Sequence, residues 1–324
     1  AYQSRGLGDV YKRQAFNYAL KALVSGDKDR AYNLLREIIS KDSNNIDAFL
    51  LLGDIVRDKD VNQAIKIHQS IILRPKISKN KKIEAHTALA KDFLQSGDKS
   101  KAEDELNIIL KIDSSNKWAL LMLKEIATKN ENWKEALTHE KKLMKIDLDH
   151  KKNDESMLNY YIAMDYKSKD KIKNYLHYLE KSAAAENIYP ESALELAQHN
   201  KDNVETAISY YKLYAKNKPS QRTLAYNKIE NILFDNKQYD EVEILYKELL
   251  EKSFDGFALN RLVDILLEKK EVSEAHDLVD RFMKSNYSCH SIRLNKLKLD
   301  SESFEVRKSI SSLCNEMIKD EIIK

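Results

Sequence analysis

The sequence predicts an all-α solenoid of about eight helical hairpins that stack into a right-handed superhelix. The first observation behind this prediction is a small residue that recurs at one place in a helical pattern. Alanine occupies six of these anchor positions, and Tyr175 and Val242 occupy the other two. Successive anchors are 33, 38, 34, 39, 32, 35 and 33 residues apart, and the alanines are Ala31, Ala64, Ala102, Ala136, Ala207 and Ala275.

The second observation is a mostly apolar helix face in register with the anchors. Residues four and seven positions after an anchor lie on the same side of its helix. The plus-four column holds Leu35, His68, Leu106, Glu140, Leu179, Tyr211, Tyr246 and Val279. The plus-seven column holds Ile38, Ile71, Ile109, Leu143, Ser182, Tyr214, Leu249 and Phe282. These columns predict the buried face of the second helix in each hairpin.

A third column, nine residues before each anchor, predicts the buried positions of the first helices. It holds Ala22, Ile55, Phe93, Ala127, Tyr166, Gln198, Leu233 and Leu266. The anchor itself is small because the two helices cross most closely there, and a bulky side chain would force their axes apart. Intervals clustered near 34 residues are typical of the tetratricopeptide (TPR) repeat.

Composition agrees with a long helical array. The 324 residues include only 6 Gly and 3 Pro, which disfavours all-β and dinucleotide-binding folds. Each repeat of a solenoid contacts mainly its neighbours, so we predict a single TPR-like array over residues 15–324. The two cysteines, Cys289 and Cys314, form no Cys-x-x-Cys pair, which favours a reducing compartment.

Charge and hydropathy exclude two classes of partner. The net charge is +3, from 55 basic and 52 acidic residues whose signs alternate along the predicted helices. A nucleic-acid-binding surface would need a concentrated basic stripe instead. No apolar run reaches the roughly 18 residues of a membrane-spanning helix, so we expect no membrane insertion by this stretch.

The two ends of the chain depart from the repeat pattern. The stretch from Ser4 to Gln14 resembles a translated sequencing-adaptor segment, so we interpret residues 1–14 as non-native and exclude them from the fold. At the other end the helical pattern runs to Lys324 without a stop signal. We therefore expect that the natural protein extends beyond both ends.

Motifs for catalysis and metal binding are incomplete. His139-Glu140 begins like a zinc-protease motif, but Leu143 stands where the second histidine is needed. Asp58 begins a run similar to a calcium loop, but Gln63 occupies the position that requires glycine. We predict no enzymatic activity, no catalytic residue, and no metal or other cofactor in this chain.

The predicted binding surface is the face lined by first helices, which forms the inner surface of a TPR array. In repeats two to four the register places six polar side chains on this face as candidate contacts for a protein or peptide: Asp54, Arg57, Lys91, Gln95, Glu125 and Thr128. The alternative interpretation is that they are ordinary solvated residues. His68 is a further candidate because it interrupts the apolar plus-four column. Its alternative interpretation is a half-buried histidine with a packed ring and one hydrogen-bonded nitrogen.

The segment around His68 resembles one protein family. Asp60 to Pro75 contains Ala-Ile-Lys-Ile-His-Gln and ends in Arg-Pro. The lipopolysaccharide assembly protein B (LapB) family carries Ala-Ile-Arg-Ile-His-Gln ending in Arg-Pro at the same repeat. Weaker matches follow in the stretch from Ala85 to Glu103 and in Lys181-Ser-Ala-Ala-Ala-Glu186. The resemblance is specific at Ala64 to Pro75 and generic to TPR proteins elsewhere.

Two departures from the family pattern concern turns. First, Gly53 lies 11 rather than 12 residues before its anchor, Ala64. Second, the prolines usual in TPR loops are replaced by Asp-Ser-Asn at residues 42–44 and by Asp-Ser-Ser at residues 113–115. Asp, Ser and Asn cap helices and form turns well, so the hairpins are expected to survive both changes. The family's N-terminal membrane helix and its C-terminal rubredoxin-like domain, which holds a metal through two Cys-x-x-Cys pairs, have no counterpart in these residues.

The resemblance implies a function that periodicity does not. LapB-like proteins lie at the cytoplasmic face of the Gram-negative inner membrane. They restrain lipopolysaccharide synthesis by presenting the lipid A pathway deacetylase to the membrane protease FtsH, and they contact other inner-membrane assembly factors. The repeats would supply the docking surface.

Two other classes stay open from the sequence. One is a TPR interaction module of another pathway, such as a secretion, pilus or chaperone adaptor. The other is the repeat domain of an enzyme such as a glycosyltransferase. A catalytic domain encoded downstream would indicate the enzyme, whereas an upstream apolar helix and downstream Cys-x-x-Cys pairs would indicate the LapB class.

Overall fold

The computed structural model describes residues 14–147, 153–252, 254–285, 289–301 and 303–323. Within these ranges the chain is helical and contains no strand. A single turn of 3₁₀ helix, Pro219–Gln221, precedes α13. The first nine helices are α1 (residues 14–24), α2 (Lys28–Lys41), α3 (Ile46–Arg57), α4 (Val61–Ile72), α5 (Lys79–Ser96), α6 (Lys99–Ile112), α7 (Lys117–Lys129), α8 (Trp133–Ile146) and α9 (Asn153–Ser168).

The remaining helices continue the same alternation of first and second helices. They are α10 (Ile172–Ala183), α11 (Pro190–His199), α12 (Val204–Asn217), α13 (Arg222–Asp235), α14 (Tyr239–Lys252), α15 (Gly256–Glu268), α16 (Val272–Lys284), α17 (His290–Asp300) and α18 (Phe304–Ile323). Over the described residues, eight hairpins carry the predicted anchors, and α17 with α18 forms a further pair. The all-α TPR-type solenoid predicted from the sequence is confirmed.

The chain forms two compact units, residues 1–162 and residues 163–324. Unit 1 holds α1 to α8 and most of α9, and unit 2 holds the end of α9 and α10 to α18. The single continuous array over residues 15–324 stays a prediction. The predicted non-native segment, residues 1–14, lies outside the described residues except for its last member, Gln14, the first described residue of α1.

The anchor column forms the core of each hairpin as predicted. All six anchor alanines are completely buried, and Tyr175 and Val242 are nearly so. The plus-four column is buried in every repeat, including its polar members His68 and Glu140. The spacing of the sequence pattern therefore located both the helices and the faces by which they pack.

One column position is exposed, and two others, Tyr166 and Leu249, are only half-buried. Gln198, predicted to be buried nine residues before Ala207, is exposed, and Ala197 is buried in its place. The turn between α11 and α12 has four residues, whereas the turn between α7 and α8 has three. One extra residue shifts the first helix by one position relative to the anchor, so a fixed offset of nine selects the wrong side chain.

Six of the eight turns within the anchor-bearing hairpins contain a residue in the left-handed conformation. Gly26 and Gly97 have φ values of 79° and 83°, and Glu131, Asp170, Lys237 and Lys270 have φ between 54° and 65° in equivalent turns. Glycine adopts this conformation without the steric cost that other residues incur. Four turns therefore carry backbone strain that glycine would remove.

The turns between hairpins use side-chain hydrogen bonds in place of proline. Asp42 Oδ1 accepts a bond from the backbone N–H of Asn44 at 3.1 Å. Asp113 Oδ1 accepts bonds from the backbone N–H of Ser115 at 3.1 Å and from its hydroxyl at 2.9 Å. The Ser115 hydrogen bonds lower the pKa of Asp113. These aspartates thus shape the turns, as their replacement of proline predicts.

Buried polar side chains of the plus-four column pair with charged residues of first helices. In unit 1, Glu140 accepts a hydrogen bond from Lys124 Nζ at 2.9 Å, and the same Nζ reaches Asp154 of α9 at 2.7 Å. Burial alone would lower the pKa of Lys124, but the hydrogen bonds and the charges of the two carboxylates together outweigh burial and raise it.

Unit 2 contains a cluster of the same kind. Tyr246 donates its hydroxyl hydrogen to Glu230 Oε2 at 2.7 Å, and Arg261 of α15 forms an ion pair with the same carboxylate. Burial, followed by the neighbouring Glu230 charge, raises the pKa of Tyr246. Glu140 in unit 1 and Tyr246 in unit 2 are thus polar residues of the otherwise apolar plus-four column. Each forms a hydrogen bond with one member of an ion pair, and that ion pair joins the first helices of two consecutive repeats.

Candidate functional site

A groove of about 400 Å³ lies on the first-helix face of unit 1. We call it the first-helix groove. Its apolar residues are half-buried or buried, and four charged residues and a threonine complete the lining. The lining consists of Phe16 from α1, Asp47, Leu50, Leu51 and Asp54 from α3, and Ile83, Glu84, Thr87, Ala88 and Lys91 from α5.

Ion pairs surround the groove. Lys81 Nζ lies 2.5 Å from Asp47 Oδ1 and 2.6 Å from Glu84 Oε2, so it joins α3 to α5. Burial alone would lower the pKa of Lys81, but the two carboxylates outweigh burial and raise it. Two turns further along α3 from Asp47, Asp54 Oδ1 lies 2.5 Å from Arg57 Nη2. The relative positions of α3 and α5 at the groove are therefore fixed by charge as well as by packing.

A buried cluster beneath the first-helix groove holds the ion pair between Asp54 and Arg57 in place. Arg57 Nε donates to Asp92, a completely buried carboxylate of α5. The other oxygen of Asp92 lies 2.6 Å from His68 Nδ1, and His68 Nε2 lies 3.2 Å from the carbonyl oxygen of Leu50. Both ring nitrogens of His68 therefore lie within hydrogen-bond distance of an oxygen.

Gly53 makes room for this ring. A Cβ atom at position 53 would lie 2.2 Å from His68 Nε2 and 2.5 Å from its Cε1. No real pair of atoms tolerates that distance without a shift. Gly53 on α3 and His68 on α4 therefore fit each other. The series of contacts that begins at His68 and continues through Asp92 and Arg57 ends at Asp54 in the groove lining.

Four of the predicted contact residues lie together on α3 and α5. Asp54 and Lys91 line the groove. Arg57 lies beside it, mostly buried between Asp54 and Asp92. Gln95 donates from Nε2 to the backbone oxygen of Arg57 at 3.2 Å, which ties the ends of the two helices together. Lys91 is exposed, and its amine lies 5.7 Å from the centre of the Trp118 ring.

The other predicted residues do not line the groove. Glu125 pairs with Lys129 of its own helix at 2.6 Å, and Thr128 donates its hydroxyl hydrogen to the Lys124 backbone oxygen at 2.8 Å. His68 needs a correction, because its side chain is completely buried and a partner cannot touch it in this conformation. Its packed-ring interpretation fits the structure better, and both ring nitrogens are engaged rather than one.

Sequence reasoning missed the residues nearer the start of each first helix. Asp47, Leu50 and Leu51 precede Asp54 by one to two helical turns, and Glu84 and Thr87 precede Lys91 in the same way. Extending the first-helix face toward the N-terminus at helical spacing would have found them. No column of the pattern identified Asp92 as a buried carboxylate, because its partners come from two other helices.

The residues of the two incomplete sequence motifs make structural contacts. The described residues contain no group of three or more His, Cys, Asp or Glu side chains placed to hold a metal ion. His139 of the incomplete zinc-protease motif faces Glu135 at 3.8 Å, and Asp60 of the calcium-like run caps α4 by accepting a bond from the backbone N–H of Gln63. Of the helices described, none is long and apolar enough to cross a membrane.

Comparisons with known proteins give two sequence matches. Residues 14–153, less than half of the chain, match the model of a domain of unknown function, DUF7017. The chain is 25% identical over 165 residues to lipopolysaccharide assembly protein B of Escherichia coli strain K12, which covers 51% of this chain and 42% of that protein. The protein of the same name from Haemophilus influenzae is 29% identical over 133 residues, which cover 38% of this chain and 34% of that protein.

Solved structures with a similar arrangement include three proteins. MamA is 20% identical with a TM-score of 0.38, and the match covers 50% of this chain and 91% of MamA. YrrB, a TPR protein with an unusual peptide-binding site, is 14% identical with a TM-score of 0.39 over 55% of this chain and 89% of YrrB. A chain of Naa15/Naa10 bound to HypK-THB is 12% identical with a TM-score of 0.48 over 96% of this chain and 47% of that one.

The sequence matches confirm the resemblance inferred from Ala64 to Pro75: the chain carries a LapB-like TPR region. The matched part is less than half of the length of those relatives.

Proposed function

We propose that this LapB-like TPR region is the docking part of a non-catalytic adaptor that regulates lipopolysaccharide biosynthesis. The observation that carries the proposal is the match to lipopolysaccharide assembly protein B over 165 residues of a TPR array. The first-helix groove supports it, because apolar side chains between exposed charged groups suit a protein segment. The proposal assigns no metal to these repeats, since the metal of the family belongs to its rubredoxin-like domain.

The partners proposed by family resemblance are the lipid A pathway deacetylase, the protease FtsH and inner-membrane assembly factors. The adaptor would act at the cytoplasmic face of the inner membrane. Holding a substrate and a protease on one scaffold converts a bimolecular encounter into a local one, which strengthens engagement by roughly 10²–10⁴. No chemical step by the repeats is required for this effect.

The decisive experiment measures the half-life of the deacetylase in cells that lack the adaptor. The full-length gene is expected to shorten the half-life. A full-length Asp54→Lys, Lys91→Glu variant is expected to restore control poorly, because both changes reverse charges in the groove lining. Asp104→Lys, at an exposed position of α6 outside the groove lining, is the charge-reversal control. An unchanged half-life with the full-length gene would overturn the proposal and favour a TPR interaction module of another pathway.

A further inference from the structure

The charges around the first-helix groove are arranged unevenly. In the pair between Lys81 and Asp47, the lysine side chain is 29% exposed and the carboxylate 53%. Glu84, paired with the same lysine, is 47% exposed. Asp54 is 45% exposed, whereas its partner Arg57 is only 13% exposed. In each pair the carboxylate faces the solvent and the cation is recessed.

The groove therefore presents three carboxylates around apolar side chains. Phe16, Leu50, Leu51, Ile83 and Ala88 supply the apolar part of the lining. The volume of about 400 Å³ accommodates a few side chains rather than a folded domain. Lys91 is the one basic residue of the lining, and its amine lies within cation–π distance of Trp118, at 5.7 Å from the ring centre.

We propose that the first-helix groove binds a segment of a partner protein in which apolar side chains are flanked by lysine or arginine. This inference rests on the proposed adaptor function and names the chemistry of the segment that docks. The apolar side chains would enter between α3 and α5, and the flanking cations would meet Asp47, Asp54 and Glu84. An acidic segment would instead meet exposed carboxylates of the same sign, which disfavours binding.

The buried cluster gives this surface a fixed shape. Arg57 holds Asp54 from one side and is itself held by Asp92, whose second oxygen contacts His68. Leu50, which lines the groove, is bonded through its carbonyl oxygen to the same histidine. The carboxylate and the apolar side chain that meet the ligand are therefore ordered before binding, which reduces the entropy lost on association.

The test is fluorescence anisotropy of three labelled peptides with the full chain. One peptide carries Leu-Leu flanked by lysines, the second carries Leu-Leu flanked by glutamates, and the third carries Ala-Ala flanked by lysines. We expect the first peptide to bind most tightly, by about tenfold over the second, because three weak exposed ion pairs together give a factor of this order. Its affinity is expected to fall as salt is raised.

Variants locate the binding. Asp54→Asn with Glu84→Gln should weaken the lysine-flanked peptide several-fold, whereas Asp104→Asn on α6 should leave its affinity unchanged. Far-UV circular dichroism melts verify that both variants fold. Equal affinity for the lysine-flanked and glutamate-flanked peptides, or unchanged affinity of the double variant, would overturn the inference.

Two further outcomes separate this inference from the adaptor function. Concentration-dependent dimerisation that the Asp54→Asn, Glu84→Gln variant abolishes would assign the groove to a second copy of the chain and overturn the peptide inference. If no peptide binds while the full-length gene still shortens the deacetylase half-life, the assignment of the groove fails and the adaptor function stands.

Discussion

Replacing Gly53 by alanine tests the fit between α3 and α4. The added Cβ would lie 2.2 Å from His68 Nε2, and the ring is completely buried with both nitrogens bonded. Overpacking a core costs about 1–3 kcal/mol. Displacing the ring weakens at least one hydrogen bond, at about 1 kcal/mol. Alanine regains about 1 kcal/mol of helix propensity. We expect Gly53→Ala to lower the free energy of unfolding by about 2 kcal/mol.

The assay is urea denaturation followed by circular dichroism, with hydrogen exchange on α3 to α5 as a local readout. His68→Ala provides the matched background, because the three heavy atoms nearest to the new Cβ all belong to the His68 ring. In that background Gly53→Ala should be neutral or stabilising by about 1 kcal/mol, so the double-mutant cycle reports the clash itself. If Gly53→Ala stabilises the parent chain, helix propensity decides the outcome and the packing argument is wrong.

Three further predictions concern a turn, an anchor and a thiol. Lys237→Gly should stabilise the chain by about 0.5–1 kcal/mol in urea denaturation, because the φ of 60° at Lys237 strains any residue other than glycine. Gly97→Ala, at a φ of 83°, should destabilise the chain for the same reason. Two substitutions that change the stability equally and in the same direction would contradict this reasoning. Ala102→Leu should cost about 1–3 kcal/mol at the buried helix crossing, and an unchanged melting temperature would show that the anchor is misassigned. Burial raises the pKa of Cys314 on α18 to about 11. In a Cys289→Ser variant, a thiol reagent at pH 8 should therefore label Cys314 only as fast as α18 opens locally, a rate that hydrogen exchange measures, and immediate labelling would exclude this packing.

The periodic part of the sequence was sufficient to predict the periodic part of the fold. Anchors such as Ala64 and Ala102 are small in the sequence and completely buried in the structure, because a close helix crossing admits only a small side chain. Gln198 marks the limit of this reasoning. A single extra residue in a turn changes the offset between two helices, and the sequence columns contain no independent signal for turn length.

The candidate groove was predictable only in part. Asp54 and Lys91 followed from the first-helix register, since exposed positions repeat with the helix as regularly as buried ones. The role of His68 did not follow, because its burial depends on the absence of a side chain at Gly53 and on a carboxylate from another helix, Asp92. Such contacts involve three helices, and no single periodicity encodes them.

The buried polar clusters follow one rule that explains their positions. His68, Glu140 and Tyr246 interrupt the apolar plus-four column, and each is bonded to a charged residue of a first helix. In every case that residue also forms an ion pair with the first helix of an adjacent repeat: Arg57 with Asp92, Lys124 with Asp154, and Arg261 with Glu230. Apolar faces alone would let one repeat pack against several others with similar energy.

We infer that these clusters select the correct neighbour, because a wrong pairing would leave a buried carboxylate without its cation. Arg57→Met is therefore expected to destabilise unit 1 by about 3 kcal/mol, since Asp92 would keep only His68 as a partner in a completely buried site. Adding Asp92→Asn removes the uncompensated charge and should recover part of the loss. Urea denaturation of the single and double variants measures both steps. If the double variant is less stable than Arg57→Met alone, the cost arises from lost packing of the arginine side chain, and the ion pair does not select the neighbour.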